Sequence, residues 1–244
     1  MKLALSAVGL NALSFLLLFA DIKWQQAKAL ERDEQDDQSA VSRHHNSTPY
    51  TLHSTFAGKA SLNAQLLGFG AVMSLLCVGV AISLPIFNPE NTVWFSMKRI
   101  ALLSILWPVA YMDFKSLRIP NIFILAGLAY RIIALPFELV FEPADIWRSA
   151  GADLIAAAVL GVSTFLCGLV VKNSIGLGDV KLLIVMGLLL GLTGIWSAIF
   201  VSLFISFAIS IILLITKKKK RKDVIPFAPS IMLGTYISVF LTGG

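Results

Sequence analysis

Apolar residues run almost unbroken from about Leu62 to the end of the chain, interrupted at intervals by short groups of charges, prolines and glycines. Cutting the run at those groups predicts helices near 64–87, 93–112, 121–141, 152–171, 179–192, 195–215 and 226–242. Most are close to the roughly 20 residues that an α-helix needs to cross a bilayer. The stretch Leu182 to Ile215 carries no charge over 34 positions, too many for one ordinary span, and Gly191-Leu192-Thr193-Gly194 is its natural hairpin. A further apolar run, Leu3 to Ala20, precedes all of these.

Between the first run and Leu62 the character changes. Residues 21–63 hold six of the fourteen acidic residues, most of them in Glu31-Arg32-Asp33-Glu34-Gln35-Asp36-Asp37. The second half of this segment, around His44, His45, Asn46 and Pro49, lacks apolar periodicity and predicts loop. The expected organisation is a first transmembrane helix or uncleaved signal anchor at 1–20 and a polar cytoplasmic loop at 21–63. A second transmembrane helix with its outer loop follows at 64–92, and a helical core occupies 93–244. The fold class is an all-α polytopic membrane helix bundle of about eight transmembrane helices.

Composition agrees: 57% of the 244 residues are hydrophobic and 14% charged, against about 45–50% and about 25% in soluble domains. A soluble globular enzyme is excluded. The net charge of +6 does not indicate a nucleic-acid partner, because the basic residues flank apolar runs, where they act as membrane anchors and orientation signals. Cys77 and Cys167 both lie inside apolar runs and have no zinc-ligand spacing. His44, His45 and His53, irregularly spaced and without cysteine partners, give no metal set either.

Lys217-Lys218-Lys219-Lys220-Arg221-Lys222 marks a cytoplasmic loop and a contact for anionic lipid. Counting spans outward from it puts fifteen of the twenty Lys and Arg at or near the cytoplasmic side, the exceptions being Lys2, Lys98, Arg99, Arg131 and Arg148. Arg131 falls in the middle of a predicted helix and needs a partner; Glu138, two turns on, and Asp153, on the next helix, are the candidates.

A charged Asp at the centre of a membrane helix costs about 2.5–3.5 kcal/mol, so acids at membrane depth mark functional positions. Asp113 ends the third predicted helix, and Asp179, in Gly176-Leu177-Gly178-Asp179, opens the sixth. Both fall on the cytoplasmic side. Two carboxyls brought together there share a proton, so one serves as general base toward water and the other as general acid toward the scissile amide. Gly176 and Gly178 remove side chains beside Asp179 and leave room for an extended substrate backbone. On the residues alone a proton- or cation-coupled transporter, which also uses embedded aspartates and glycine-broken helices, stays open beside the protease.

Three ordered segments narrow the choice. Asp113 with Arg118-Ile119-Pro120-Asn121, then Gly176-Leu177-Gly178-Asp179-Val180-Lys181, then Ile225-Pro226-Phe227-Ala228-Pro229 together resemble the type IV prepilin peptidases. These are GxGD membrane aspartic proteases that include the preflagellin and Flp/Tad-type enzymes. Ala228 stands where that family usually has Gly. The resemblance implies a six-helix catalytic core over about 93–244, with Asp113 and Asp179 as catalytic residues. Gly176, Gly178, Lys181, Pro120, Asn121, Pro226 and Phe227 become substrate-binding or supporting residues, and no metal or organic cofactor is implied. The implied activity removes the basic leader of prepilin-like or pseudopilin-like precursors, cutting after a glycine at the cytoplasmic face of the cell's inner membrane. Bifunctional members carry Cys-x-x-Cys pairs in the loop that precedes the core. Residues 21–63 contain no cysteine, so N-methyltransferase activity and S-adenosylmethionine are not expected.

Overall fold

The computed structural model describes residues 6–24, 53–87, 92–141, 143, 146–170, 176–216 and 225–242. The described elements are helices: α1 (Ser6–Trp24), α2 (His53–Phe87), α3 (Val93–Ser116), α4 (Asn121–Phe141), α5 (Ile146–Val170), α6 (Leu177–Ile215) and α7 (Ala228–Thr242). Six of them, α1 to α6, are long and apolar enough to cross a membrane; α7 is apolar but shorter. The expected class, a polytopic membrane helix bundle, is the one observed.

The single departure from helical geometry inside α6 is Gly191, at φ 71° and ψ −178°. That combination is open only to glycine. Residues 177–190 run antiparallel to α5, since Gly187 lies on the backbone of Ala157 and Gly191 faces Asp153. Residues 192–215 run antiparallel to α7, with Ser197 bonded to Ser238 at 2.6 Å and Ser202 to the Ile231 carbonyl at 3.3 Å. The two arms of α6 therefore form the hairpin expected at Gly191, and with them the described helices make eight apolar segments. Close packing in lipid relies on small residues. A Cβ on Gly234 would overlap Ser202, and one on Gly161 would come within 2.9 Å of Ile184. Gly168, by contrast, has nothing within 4 Å of where its Cβ would stand.

Helix α3 is the centre of the bundle. It buries an unbroken run from Lys98 to Asp113, and α2, α4, α6 and α7 pack around it. Trp107, fully buried, stacks on Phe15 of α1 at a centroid distance of 6.2 Å and meets Phe69 of α2 at 6.3 Å. At one end of the bundle Trp94 stacks on Phe137 and Phe141 of α4, and Trp147, near the start of α5, is exposed. Aromatic rings in this arrangement suit a membrane–water interface.

Two helices begin earlier than hydropathy predicts. α2 starts at His53, inside the segment read as polar loop, and α5 at Ile146 rather than 152. α1 likewise continues to Trp24. Hydropathy registers immersion in lipid, whereas a helix continues into water wherever no proline or glycine cluster stops it. The rest of the polar segment, with the acidic run 31–37, His44 and His45, lies outside the described residues.

Four charges inside the bundle form one ion-paired group. Arg131 binds Glu138 at 2.8 Å and Asp153 at 2.7 Å, so both candidate partners are used. Lys98 joins them, 3.0 Å from Asp153 and 3.7 Å from Glu138. The neighbouring Arg99 is fully buried, donates to the Phe95 carbonyl at 3.1 Å and lies over the Phe95 ring. Lys98 and Arg99, exceptions to the cytoplasmic excess of basic residues, are thus held by α4, α5 and their own helix rather than by headgroups.

Candidate active site

Asp113 sits one turn before the end of α3, buried. The helix is closed by Leu117, which adopts the left-handed conformation at φ 52° and donates its N–H to the Asp113 carbonyl at 2.9 Å. This αL cap satisfies one of the end-of-helix carbonyls. The Asp113 carboxyl reaches across the bundle to α7, where its Oδ2 accepts the Ala228 N–H at 2.9 Å. The Phe227 N–H lies within bonding reach of the same group. Phe227 precedes the first turn of α7, its carbonyl accepting from the Ile231 N–H at 3.1 Å. The acid is therefore seated on a helix N-terminus, where free N–H groups and the helix dipole favour an anion.

Asp179 is the third residue of α6, behind Gly176 as N-cap. The Gly176 carbonyl accepts the N–H groups of Asp179 at 3.0 Å and Val180 at 3.3 Å. In return the Asp179 carboxyl receives the Gly176 N–H, the reach-back half of a capping box. Any side chain on Gly176 would crowd that carboxyl, since its Cβ would stand 3.3 Å from Oδ2. Asp179 is partly exposed, so the pair combines a buried acid with one open to water. The two carboxyls are near enough to interact electrostatically across 66 positions of sequence.

The other expected residues gather at the same end. Gly178 lets the α3–α4 connection pass closely, for a Cβ there would be 3.2 Å from the Ile119 side chain. Pro120 opens α4 by accepting the Phe123 N–H at 3.3 Å, and Asn121 accepts a hydrogen bond from Lys181 Nζ at 3.2 Å. Lys181 thus ties α6 to α4. Pro226 and Phe227 lead the chain into α7 beside Asp113. The sequence reading missed the amide of Ala228, because a backbone N–H has no side-chain signature. Only the start of a helix directly after Pro226-Phe227 could have signalled it.

The ion-pair group is separate from this site. Lys98 precedes Asp113 by 15 residues on α3, about 22 Å at 1.5 Å per residue. Among the described residues, no three His, Cys, Asp or Glu side chains are grouped to hold a metal.

Comparison with known proteins falls on this same region. The sequence profile of the type IV leader peptidase family matches residues 100–215, a span that contains both Asp113 and Asp179. The chain is also similar to a prepilin leader peptidase/N-methyltransferase of Bacillus subtilis (strain 168). The two are 27% identical over 139 residues, which cover 57% of this chain and 53% of the relative. The match therefore spans about half the length of that curated relative. No solved structure matches the chain significantly. The resemblance expected from the motifs is matched over residues 100–215, which hold both aspartates and the first two motifs, while the third, at 225–229, lies beyond the match.

Proposed function

We propose that this chain is a membrane aspartic endopeptidase that removes the basic leader from type IV prepilin-like precursors. The observation that carries the reading is the convergence of Asp113 and Asp179, from the end of α3 and the start of α6, at one end of the bundle. In the proposed reaction one carboxylate takes a proton from a water whose oxygen attacks the scissile carbonyl carbon. The other carboxyl, protonated, gives its proton to the departing amide nitrogen as the C–N bond breaks. The leader leaves with a new carboxyl terminus and the mature protein with a new amine. The two acids act as a coupled pair, so the roles belong to the pair rather than to either residue.

The catalytic unit of the proposal is the set of helices from Val93 onward, α3 to α7, with Gly176 admitting the Asp179 carboxyl and Gly178 the Ile119 side chain at close range rather than leaving room for a substrate strand. Lys115, Arg118 and Lys181 lie at the aspartate end, which supports a cytoplasmic placement of the site. The same basic residues, with the 217–222 run, favour anionic lipid at that face. A carrier is not proposed, because the family match includes both acids. Methyl transfer is not part of the proposal either.

The test is processing in reconstituted membranes. A precursor with a basic leader ending in glycine, followed by an apolar helix, is incubated with the purified chain, and its new N-terminus is read by mass spectrometry. Cleavage after the glycine, absent from Asp113→Asn and Asp179→Asn protein that still inserts and folds, supports the reading. Unchanged cleavage in either variant overturns it.

A further inference from the structure

One face of α4 carries Leu125, Leu128, Ile132, Leu135 and Leu139, spaced by steps of three and four. That is the seam with which one helix packs along another in a left-handed pair. Among the described residues no helix covers its outer edge: Leu125, Ile132 and Leu139 are 67%, 68% and 52% exposed, while Leu128 and Leu135 are half-buried.

The seam is the wall of a groove rather than a convex face. Three hollows follow one another along it, of about 320, 190 and 380 Å³. The first is closed on the far side by Lys181 and Ile184 of α6, the second by Asp153 of α5 and Leu188 of α6, and the third by Trp147 of α5. They are continuous, because Leu128 lines the first and second while Leu135 and Ala150 line the second and third. Helix α4 touches α5 only sparsely, which leaves the groove open to the side. From Asn121 to Leu139 it extends about 27 Å along α4, close to the roughly 30 Å thickness of the hydrocarbon layer.

We propose that this groove receives the apolar membrane helix of the precursor, aligned so that its N-terminal end lies at Lys181, two residues from Asp179. The proposal rests on the leader-peptidase reading and adds the surface that holds the substrate. Three observations select this occupant. The seam has helix-pairing spacing, which an acyl chain does not require. The groove matches the length of one span, and its Asn121–Lys181 end is at the same end of the bundle as the two aspartates. Of its three charged lining residues, Lys181 stands at the end, and Arg131 and Asp153 midway along are paired with each other at 2.7 Å inside the wall, so the occupant meets an apolar surface there and carries no charge at that depth.

Photocrosslinking tests this. Benzoylphenylalanine replaces Leu128 or Leu135 in the groove, or Phe204 or Phe207 on the second arm of α6, which are 69% and 65% exposed. Each full-length protein is reconstituted with the precursor described above and illuminated, and cleavage by the unmodified protein is scored in parallel. Crosslinks to the precursor's apolar segment at least fivefold more frequent from the groove than from the α6 positions support the proposal. Equal yields, crosslinks to lipid alone, or crosslinks to a second copy of this chain overturn it. If the precursor is cleaved but not captured by the groove, docking fails and the peptidase stands. If it is captured but not cleaved, docking stands and the peptidase reading fails.

Discussion

The Oδ2 of Asp113 accepts the backbone N–H of Ala228 at 2.9 Å, joining the end of α3 to the first residue of α7 across 115 positions of sequence. Proline is well tolerated in the first turn of a helix, and it removes that donor without removing α7. Ala228→Pro is expected to lower the processing rate at least tenfold, because a hydrogen bond to a charged group contributes about 1.5–3 kcal/mol. Ala228→Gly, which keeps the N–H, should process at close to the unmodified rate. Single-turnover cleavage, with thermal unfolding of each variant in detergent as a folding control, separates the two.

The hairpin at Gly191 makes a second, purely structural prediction. At φ 71° any other residue is strained, and a Cβ there would stand 2.8 Å from Asp153 Oδ1. Gly191→Ala should destabilise the folded protein by about 2 kcal/mol, read as an earlier midpoint in denaturant unfolding. Gly168→Ala, with open space around it, should be close to neutral.

The buried charges should show the asymmetry of broken and removed pairs. Arg131→Met leaves Glu138 and Asp153 with only Lys98 between them, at a cost of about 3 kcal/mol. Adding Glu138→Leu removes one uncompensated acid and should recover most of that loss. The same unfolding measurement checks it, and a double variant no more stable than Arg131→Met would contradict the pairing.

A proton shared by two acids has a pH signature. Below the working range both carboxyls are protonated and no base remains for water; above it both are ionised and no acid remains for the leaving amine. Processing rate plotted against pH should therefore fall on both sides of a maximum. A rate that climbs steadily to alkaline pH would indicate a different nucleophile.

Much of this architecture could be read before any coordinates. The bounds of α4 came from its apolar run and the proline before it, and the break at Gly191 from the length of a charge-free stretch. Both partners of Arg131 followed from the cost of an unpaired charge in lipid. Elsewhere the sequence was silent for physical reasons. The early starts of α2 and α5 fall on residues whose polar and charged side chains lower the hydropathy without breaking the helix. Lys98 joins the ion pairs through its azimuth on α3, which periodicity along a helix buried on every side does not reveal. The groove beside α4 depends on how far α5 leans away, a tertiary property with no trace in the residues of α4 alone.

The central claim, that Asp113 and Asp179 act as one unit on one water, is tested most directly by a double-variant cycle. Processing rates are compared for Asp113→Asn, Asp179→Asn and the double variant in reconstituted membranes. Residues that work as a unit are strongly non-additive. The account predicts that each single variant loses nearly all activity and that the double variant is no worse than either. Two independent, multiplying losses, or near-normal processing in either single variant, would contradict it.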